Sequence, residues 1–291
     1  MPSGPLAPRH IRLGALLGAL ILTAAACSTG ARRPRIAGGS PTAKGSTPPA
    51  GAMTMQPGAE NMKVEITSPA DAAKVTDNAV MVSVATSGFD NTCDTAGKPD
   101  KEGQGHYHVA IDNLHNLVDM FCTPQARISM QNLKPGMHKL IVVPAQNDHA
   151  EVEENQRSVT IDYEPTNPPA EITDATFPSK PAIKITNISP SQTISGAFDV
   201  AVKVTNFKLS CDLEGKPAVA GYGHWHLNAD SMTGPMMGMG TMLRMGCSDV
   251  IHTSTRGFKP GETHTLIALL VDNGHAPLSP PVADQVEVKI G

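Results

Sequence analysis

Residues 198–204 read Phe-Asp-Val-Ala-Val-Lys-Val, so that large apolar side chains recur at every second position. Nearly the same alternation occurs at 79–84 and at 285–290. A period of two is typical of half-buried β strands, and Gly and Pro punctuate the chain at short intervals. The pattern predicts an all-β protein built from immunoglobulin-like antiparallel β sandwiches of about seven strands each.

Two segments of the chain repeat one another. Residues 93–112 and 211–230 share a Cys, a Gly-Lys-Pro triplet, a Gly-His-aromatic-His motif and an Asp, in the same order and at the same spacing. Further on, residues 147–150 match residues 273–276. Agreement at so many separate positions predicts an internal duplication, and therefore two tandem domains.

The composition divides the chain into five parts. The segment before the first repeat is rich in Gly, Ala, Pro, Ser and Thr, so it cannot bury enough apolar surface to fold. The segment between the repeats is rich in Pro and predicts a stiff connector that keeps the two domains apart. The predicted parts are a signal peptide at 1–27, a disordered tether at 28–61, the first repeat at 62–164, a linker at 165–182 and the second repeat at 183–291.

The first 27 residues have the features of an export signal. A basic start is followed by an apolar run at 13–22 and by small residues that end at Cys27. The apolar run is shorter than the roughly 20 residues that span a bilayer. The segment resembles the lipobox of bacterial lipoproteins, although Ala24 stands where that pattern prefers Leu; the resemblance implies that Cys27 carries the lipid. We expect an exported lipoprotein, anchored to the membrane on the cell surface or the periplasmic side, with ordinary signal cleavage as the alternative.

The remaining four cysteines form an even set, which suits an oxidising compartment. Three pairings are open to four cysteines, and the duplication selects the one that places an equivalent bridge in each repeat. We therefore predict disulfides between Cys93 and Cys122 and between Cys211 and Cys247. Each would close a loop of roughly 30 to 37 residues, worth roughly 3.5 to 4 kcal/mol in the chain-entropy model.

Each repeat carries a His-x-His pair and two later histidines. Residues i and i+2 of a strand point to the same face, about 6 to 7 Å apart, so that two imidazoles can bind one metal ion. Imidazole suits copper, zinc, iron or nickel. The alternative is architectural, with the rings held by hydrogen bonds to the backbone or to Asp112 and Asp230. The candidate ligands are His106, His108, His138 and His149 in the first repeat and His224, His226, His264 and His275 in the second.

A methionine-rich segment follows the His-x-His pair of the second repeat. Thioethers are soft ligands that favour copper(I), so copper binding is one interpretation of this segment, and the sequence leaves the cofactor open. Methionine also fills irregular cores and lines adaptable surfaces, so the alternative is a loop that docks another envelope protein. The methionines are Met232, Met236, Met237, Met239, Met242 and Met245.

Charge and motifs exclude several classes of function. The net charge is −4, and no cluster of Lys and Arg follows Arg35, so we expect no nucleic-acid partner. The chain has no Gly-x-Ser-x-Gly turn, phosphate-binding loop, His-Glu-x-x-His helix or Cys-x-x-Cys pair. We therefore expect a protein that is not an enzyme.

One motif order is similar to that of a known family. The second repeat has Gly-His-Trp-His-Leu at 223–227, Pro-Gly at 260–261, His-Ala-Pro at 275–277 and Pro-Pro at 280–281. This order resembles a family of small exported bacterial domains with a Gly-His-His-His-Leu core and no assigned function. The resemblance implies a β domain of the cell envelope. We interpret the chain as a non-catalytic envelope binding module, with a structural or interaction lipoprotein as the alternative.

Overall fold

The computed structural model describes residues 55–233 and 239–291. The predicted signal peptide, the Cys27 lipidation site and most of the predicted tether lie outside the described residues, as do Met236 and Met237. In the described part, no helix is long and apolar enough to cross a membrane.

The first repeat has nine strands, of which two are very short. They are β1 Lys63–Ser68, β2 Ala73–Val75, β3 Ala79–Ser87, β4 Asp90–Asn91, β5 Gln104–Ile111, β6 Leu117–Phe121, β7 Gln125–Ser129, β8 Gly136–Ala145 and β9 Arg157–Tyr163. One sheet has the order β1-β3-β7. The other has the order β2-β9-β8-β5-β4, with β6 also paired to β5.

The second repeat has the same strands in the same arrangement. They are β10 Ala182–Ile185, β11 Gln192–Ile194, β12 Ala197–Thr205, β13 Lys208–Leu209, β14 Tyr222–Ala229, β15 Met242–Gly246, β16 Val250–Ser254, β17 Thr263–Val271 and β18 Ala283–Ile290. The sheets are β10-β12-β16 and β11-β18-β17-β14-β13, with β15 beside β14. The predicted fold class, two tandem immunoglobulin-like β sandwiches, is confirmed. Pairing is antiparallel except where β2, β4, β11 and β13 add to an edge in parallel.

The sandwich cores follow from the alternation in the sequence. In β3, Val80, Val82 and Val84 face inward, and the intervening residues face outward or lie partly covered. Tyr107 in the core of the first repeat and Trp225 in the core of the second hold equivalent positions, and both are fully buried. Each ring satisfies its polar atom on a backbone carbonyl, as a buried Tyr or Trp requires.

The two repeats pack against each other, so the prediction of two separated domains is wrong. Both lie in one compact unit. A third apolar cluster joins Leu117 and Met120 of the first repeat to Met239, Met242 and Met245 of the second. Methionine side chains bend to fill an irregular gap, which explains why a methionine-rich segment forms this contact.

The linker also lies against both repeats. Gln131 donates to the carbonyl of Ala170 at 2.7 Å, on the side of the first repeat. On the side of the second repeat, the amide of Ala175 donates to the carbonyl of Ala220 at 2.8 Å. These hydrogen bonds hold a Pro-rich segment in place without regular secondary structure.

The end of the predicted tether belongs to the folded part, so its boundary at residue 61 needs correction. Ala59 and Met62 are buried with Val152 in a small apolar cluster. The side-chain amide of Asn155 donates to the carbonyls of Glu60 and Met62 at 2.9 and 2.8 Å. One apolar cluster and two satisfied carbonyls are enough to order this short stretch.

Candidate metal centres

Strands β5 and β14 place the His-x-His pairs on the sheet surface that faces away from the sandwich core. His106 and His108 flank Tyr107, whose ring points into the core, so the two imidazoles point the opposite way. His224 and His226 flank Trp225 in the same manner. The other repeat covers this surface, and all four rings are at most 2% exposed.

A third histidine reaches each pair from the loop after the neighbouring strand. His149 follows β8 and His275 follows β17, and their backbones are left-handed, with φ of 66° and 67°. This conformation is uncommon for a residue other than glycine. Tight backbone hydrogen bonds hold both loops, including His149 N to Gln146 O at 3.0 Å and His275 N to Asp272 O at 3.2 Å. The strain is thus maintained at the same place in both repeats.

Three ring nitrogens converge in the first repeat. Nε2 of His106 lies 3.0 Å from Nε2 of His108 and 3.0 Å from Nδ1 of His149. The third edge, between His108 and His149, is 3.3 Å. We call these residues triad 1.

The second repeat has the same arrangement, and its nitrogen–nitrogen distances differ from those of triad 1 by about 0.1 Å at most. Nε2 of His224 lies 3.1 Å from Nε2 of His226 and 3.0 Å from Nδ1 of His275. The remaining edge is 3.3 Å. We call these residues triad 2. Each triad is a group that could hold a metal ion.

Hydrogen bonds on the outer ring nitrogens set which nitrogen faces inward with a lone pair. Nε2–H of His149 donates to the carbonyl of Met242 at 2.8 Å, so its Nδ1 is an acceptor. Likewise, Nε2–H of His275 donates to the carbonyl of Leu117 at 2.7 Å. Nδ1 of His108 lies 2.7 Å from a carboxylate oxygen of Glu151, which orients its Nε2 inward. Such outer partners are typical of histidines that bind metals.

Burial favours the neutral form of His106, His149, His224, His226 and His275. Loss of solvation lowers the pKa of His149 to about 3 and that of His275 to about 4. Burial, reinforced by the neighbouring imidazoles, also holds the pKa values of His106, His224 and His226 well below their usual range. Neutral imidazole is the form that binds a metal ion.

The dimensions of each triad suit one small transition-metal ion. Nitrogens that share a tetrahedral ion at about 2.0 Å lie about 3.3 Å apart. The three nitrogens of triad 1, which lie 3.0 to 3.3 Å from one another, would therefore fit one such ion. The donors are all nitrogen, which excludes no first-row transition metal but disfavours magnesium and calcium, since those ions prefer oxygen.

The triads are linked across the contact between the repeats. Met242 and Leu117 hold equivalent positions, because Met242 pairs with Asn228 on β14 and Leu117 pairs with Ala110 on β5. Each repeat therefore orients the third histidine of the other repeat, and the two backbone carbonyls that do so hold equivalent positions.

Glycines allow the close approach at this contact. A Cβ on Gly97 would lie 2.5 Å from the backbone of Met242, and a Cβ on Gly215 would lie 3.0 Å from the carbonyl of Leu117. Both glycines also have positive φ. The Gly-Lys-Pro motif noted in both repeats thus serves the contact that supports the triads.

Two predicted ligands lie apart from the triads. His138 contacts Asp112, with Nδ1 3.1 Å from its carboxylate, and His264 contacts Asp230 at 2.7 Å. Both rings are partly exposed, and both aspartates have positive φ in the turn after the His-x-His strand. These two histidines therefore have a structural role, as the alternative to metal binding predicted. Each carboxylate also accepts a hydrogen bond from a backbone N–H of the adjacent strand.

The described methionines of the methionine-rich segment do not form an exposed loop. Met239, Met242 and Met245 are buried in the contact between the repeats, and Met232 is partly buried. Met245 pairs with His226, and Met120 pairs with His108 at the equivalent position of the first repeat. The methionine-rich segment therefore has a partial counterpart that the sequence comparison missed.

The two predicted disulfides are confirmed. Cys93 is bonded to Cys122 with a Cα separation of 5.5 Å, and Cys211 to Cys247 with one of 5.2 Å. Cys93 and Cys122 lie at the edge of the cluster that joins the repeats. Two disulfides indicate an oxidising compartment.

Sequence reasoning missed Glu151, which contacts His108. The repeat pattern did not indicate Glu151, because Pro277 stands at the equivalent position of the second repeat. Both residues form the same isolated bridge, Glu151 to Ala145 and Pro277 to Val271. The two triads therefore have the same arrangement of ring nitrogens. They differ at the position of Glu151, where the second repeat has Pro277.

No protein-family model matches the chain, and no curated protein matches it. Among solved structures, the chain is similar to the fibronectin(III)-like modules of Clostridium thermocellum CbhA, at 12% identity over 78% of this chain and 93% of that chain, with a TM-score of 0.24. It is also similar to human CDH23 EC21-23, at 15% identity over 79% of this chain and 69% of that chain, with a TM-score of 0.23. A third, the chicken CNTN1 FN1-FN3 domains, has 10% identity over 77% and 66% and a TM-score of 0.22. Likenesses this low say nothing about function.

Proposed function

We propose that this chain is an exported, lipid-anchored binding module that holds two transition-metal ions, one in each histidine triad, without catalysing a reaction. The observation that carries the proposal is the convergence of three ring nitrogens, 3.0 to 3.3 Å apart, at the same place in both repeats. Copper is the ion we favour, since copper(II) is bound most tightly by most nitrogen sites.

Burial supports binding over catalysis. All six rings are at most 2% exposed, and each triad is covered by the other repeat. A catalytic metal needs its free position open to substrate. A buried ion with one free position suits storage or transfer instead.

The structural alternative is a hydrogen-bonded network without metal. One proton on Nε2 of His106 could be shared by the two acceptor nitrogens 3.0 Å away. Nδ1 of His106 would then be a buried acceptor with no donor among the described residues, and Nδ1 of His224 would be its counterpart. With a metal ion on Nε2, Nδ1 of each ring would carry the proton and would also lack a partner among the described residues, so this atom does not distinguish the two interpretations.

Metal stoichiometry tests the proposal. The chain from Ser28 onward, with its disulfides oxidised, is titrated with copper(II) and zinc, and the bound metal is measured after desalting. We expect two ions per chain. A His106→Ala/His108→Ala variant should bind one ion, and so should a His224→Ala/His226→Ala variant.

A matched control uses the two histidines outside the triads. The His138→Ala/His264→Ala variant also loses two imidazoles, yet it should still bind two ions. If the unaltered protein binds no metal, or if the triad variants bind as much as the control, the network interpretation is correct and the metal proposal is wrong.

The lipid anchor is a separate part of the proposal. It is supported by the export signal that ends at Cys27 and by the two disulfides. Expression of the full chain in a bacterial host, followed by membrane fractionation and mass spectrometry, should find Cys27 diacylated. A Cys27→Ser variant that remains in the membrane fraction would contradict this assignment.

A further inference from the structure

A cavity of about 710 Å³ adjoins triad 2 and extends to Glu151, beside triad 1. Its wall includes His275, a member of triad 2, and Leu117, whose carbonyl holds that ring. The wall also includes Glu151, whose carboxylate contacts His108 of triad 1. One cavity therefore reaches the immediate surroundings of both sites.

An ion bound in a triad must pass the protein surface to reach it. The triad rings are at most 2% exposed, so solvent does not touch them directly. A plausible metal site needs a path by which the metal arrives. The cavity meets this need, because its wall extends from exposed residues such as His115 to the buried His275.

The wall also carries donors suited to a soft cation. Met55 is 42% exposed and Met239 is 4% exposed, so one thioether lies towards solvent and the other lies deep. Thioethers favour copper(I) over harder ions. Exposed Glu153 and half-buried Glu151 add negative charge, which raises the local concentration of cations.

We propose that this cavity is the uptake site for copper(I), which binds the thioethers of Met55 and Met239 before it passes to the triads. This inference rests on the proposed function. No electron is transferred in this step, because the ion reaches the triads as copper(I) and only its ligands change; formation of copper(II) is not part of it.

Uptake kinetics test the inference. Copper(I) is supplied without oxygen from a coloured chelator, and its transfer to the metal-free protein is followed by stopped-flow absorbance; zinc uptake is followed in parallel. A Met55→Leu/Met239→Leu variant keeps the apolar volume and removes both sulfurs. We expect copper(I) uptake about tenfold slower, zinc uptake unchanged, and the final stoichiometry unchanged.

A second variant tests the route itself. Leu114 is a half-buried residue of the cavity wall, and Leu114→Trp should narrow the cavity and slow the uptake of both ions. The control is Met81→Leu/Met137→Leu, which removes two exposed sulfurs at 47% and 59% exposure, neither of them in the cavity wall. It should load at the rate of the unaltered protein.

The outcomes separate this inference from the proposed function. If both cavity variants take up copper(I) at the rate of the control while two ions still bind, the uptake site is refuted and the triads stand. If the unaltered protein takes up neither ion, both proposals are refuted.

Discussion

Acid should destabilise the metal-free protein through its buried histidines. An unfolded histidine has a pKa of about 6.5, whereas burial lowers the pKa of His149 to about 3 and that of His275 to about 4. Between these values the unfolded chain binds protons that the folded chain does not bind. Stability should therefore fall as the pH is lowered below about 6.5 and level off only near the folded values.

The size of the effect follows from the same pKa values. From pH 7 to pH 5, each histidine that stays neutral in the folded protein should lower the free energy of unfolding by about 2 kcal/mol. His149 and His275 together give about 4 kcal/mol, and the lowered pKa values of His106, His224 and His226 act in the same direction. Ordinary domains have only about 5 to 15 kcal/mol of stability, so the loss should be large.

Urea unfolding in the presence of a chelator, at pH 7 and at pH 5, measures this difference. Replacing both His149 and His275 by Gln should reduce the pH dependence, because two of the responsible groups are gone. The same substitution at His252, whose side chain is 80% exposed, controls for the loss of a histidine. A free energy of unfolding at pH 5 within about 1 kcal/mol of that at pH 7 would refute the reasoning.

Three further predictions concern the contact between the repeats and the bound ions. Met242→Ala removes a fully buried side chain from the shared cluster and should lower the free energy of unfolding in urea by about 2 to 5 kcal/mol. Met137→Ala, at an exposed site, should lower it little. Equal losses would contradict the account. Gly215→Val should press on the Leu117 carbonyl and weaken metal binding in triad 2 alone. Gly261→Val, at a positive φ with open space around an added Cβ, should leave two ions bound. Two tightly bound ions in both variants would contradict this prediction. Chelation of the metal should lower the free energy of unfolding by about 2.7 kcal/mol per site when free metal had been 100-fold above Kd, and an unchanged unfolding curve would argue against binding to the folded state.

The fold and the disulfides could be predicted because they depend on patterns local to each repeat. Alternation of apolar residues predicted the strands, and the duplication selected Cys93 with Cys122 and Cys211 with Cys247. The His-x-His pairs were predictable for the same reason, since the geometry of a strand places residues i and i+2 on one face.

The sequence narrowed the third member of each triad to two histidines but could not choose between them. His138 and His149 both follow the pair in the sequence, and only the left-handed turn at His149 brings that ring to the pair. The choice depends on a loop conformation, which spacing does not encode.

The contact between the repeats was also beyond sequence reasoning. A methionine-rich segment after the His-x-His pair of the second repeat suggests a metal-binding or docking loop, yet its described buried methionines fill a gap between two sandwiches. The groups that orient His149 and His275 are backbone carbonyls, of Met242 and Leu117, and the identity of a residue gives no sign of such a role.

The most direct test of the central claim is X-ray absorption spectroscopy of the protein loaded with two copper(II) ions per chain. We expect about three nitrogen neighbours per copper at about 2.0 Å, with the outer-shell scattering of imidazole rings and no sulfur in the first shell. Spectra dominated by sulfur or by oxygen alone, or spectra that the His224→Ala/His226→Ala variant shares at full copper content, would show that the copper lies outside the triads and would contradict the account.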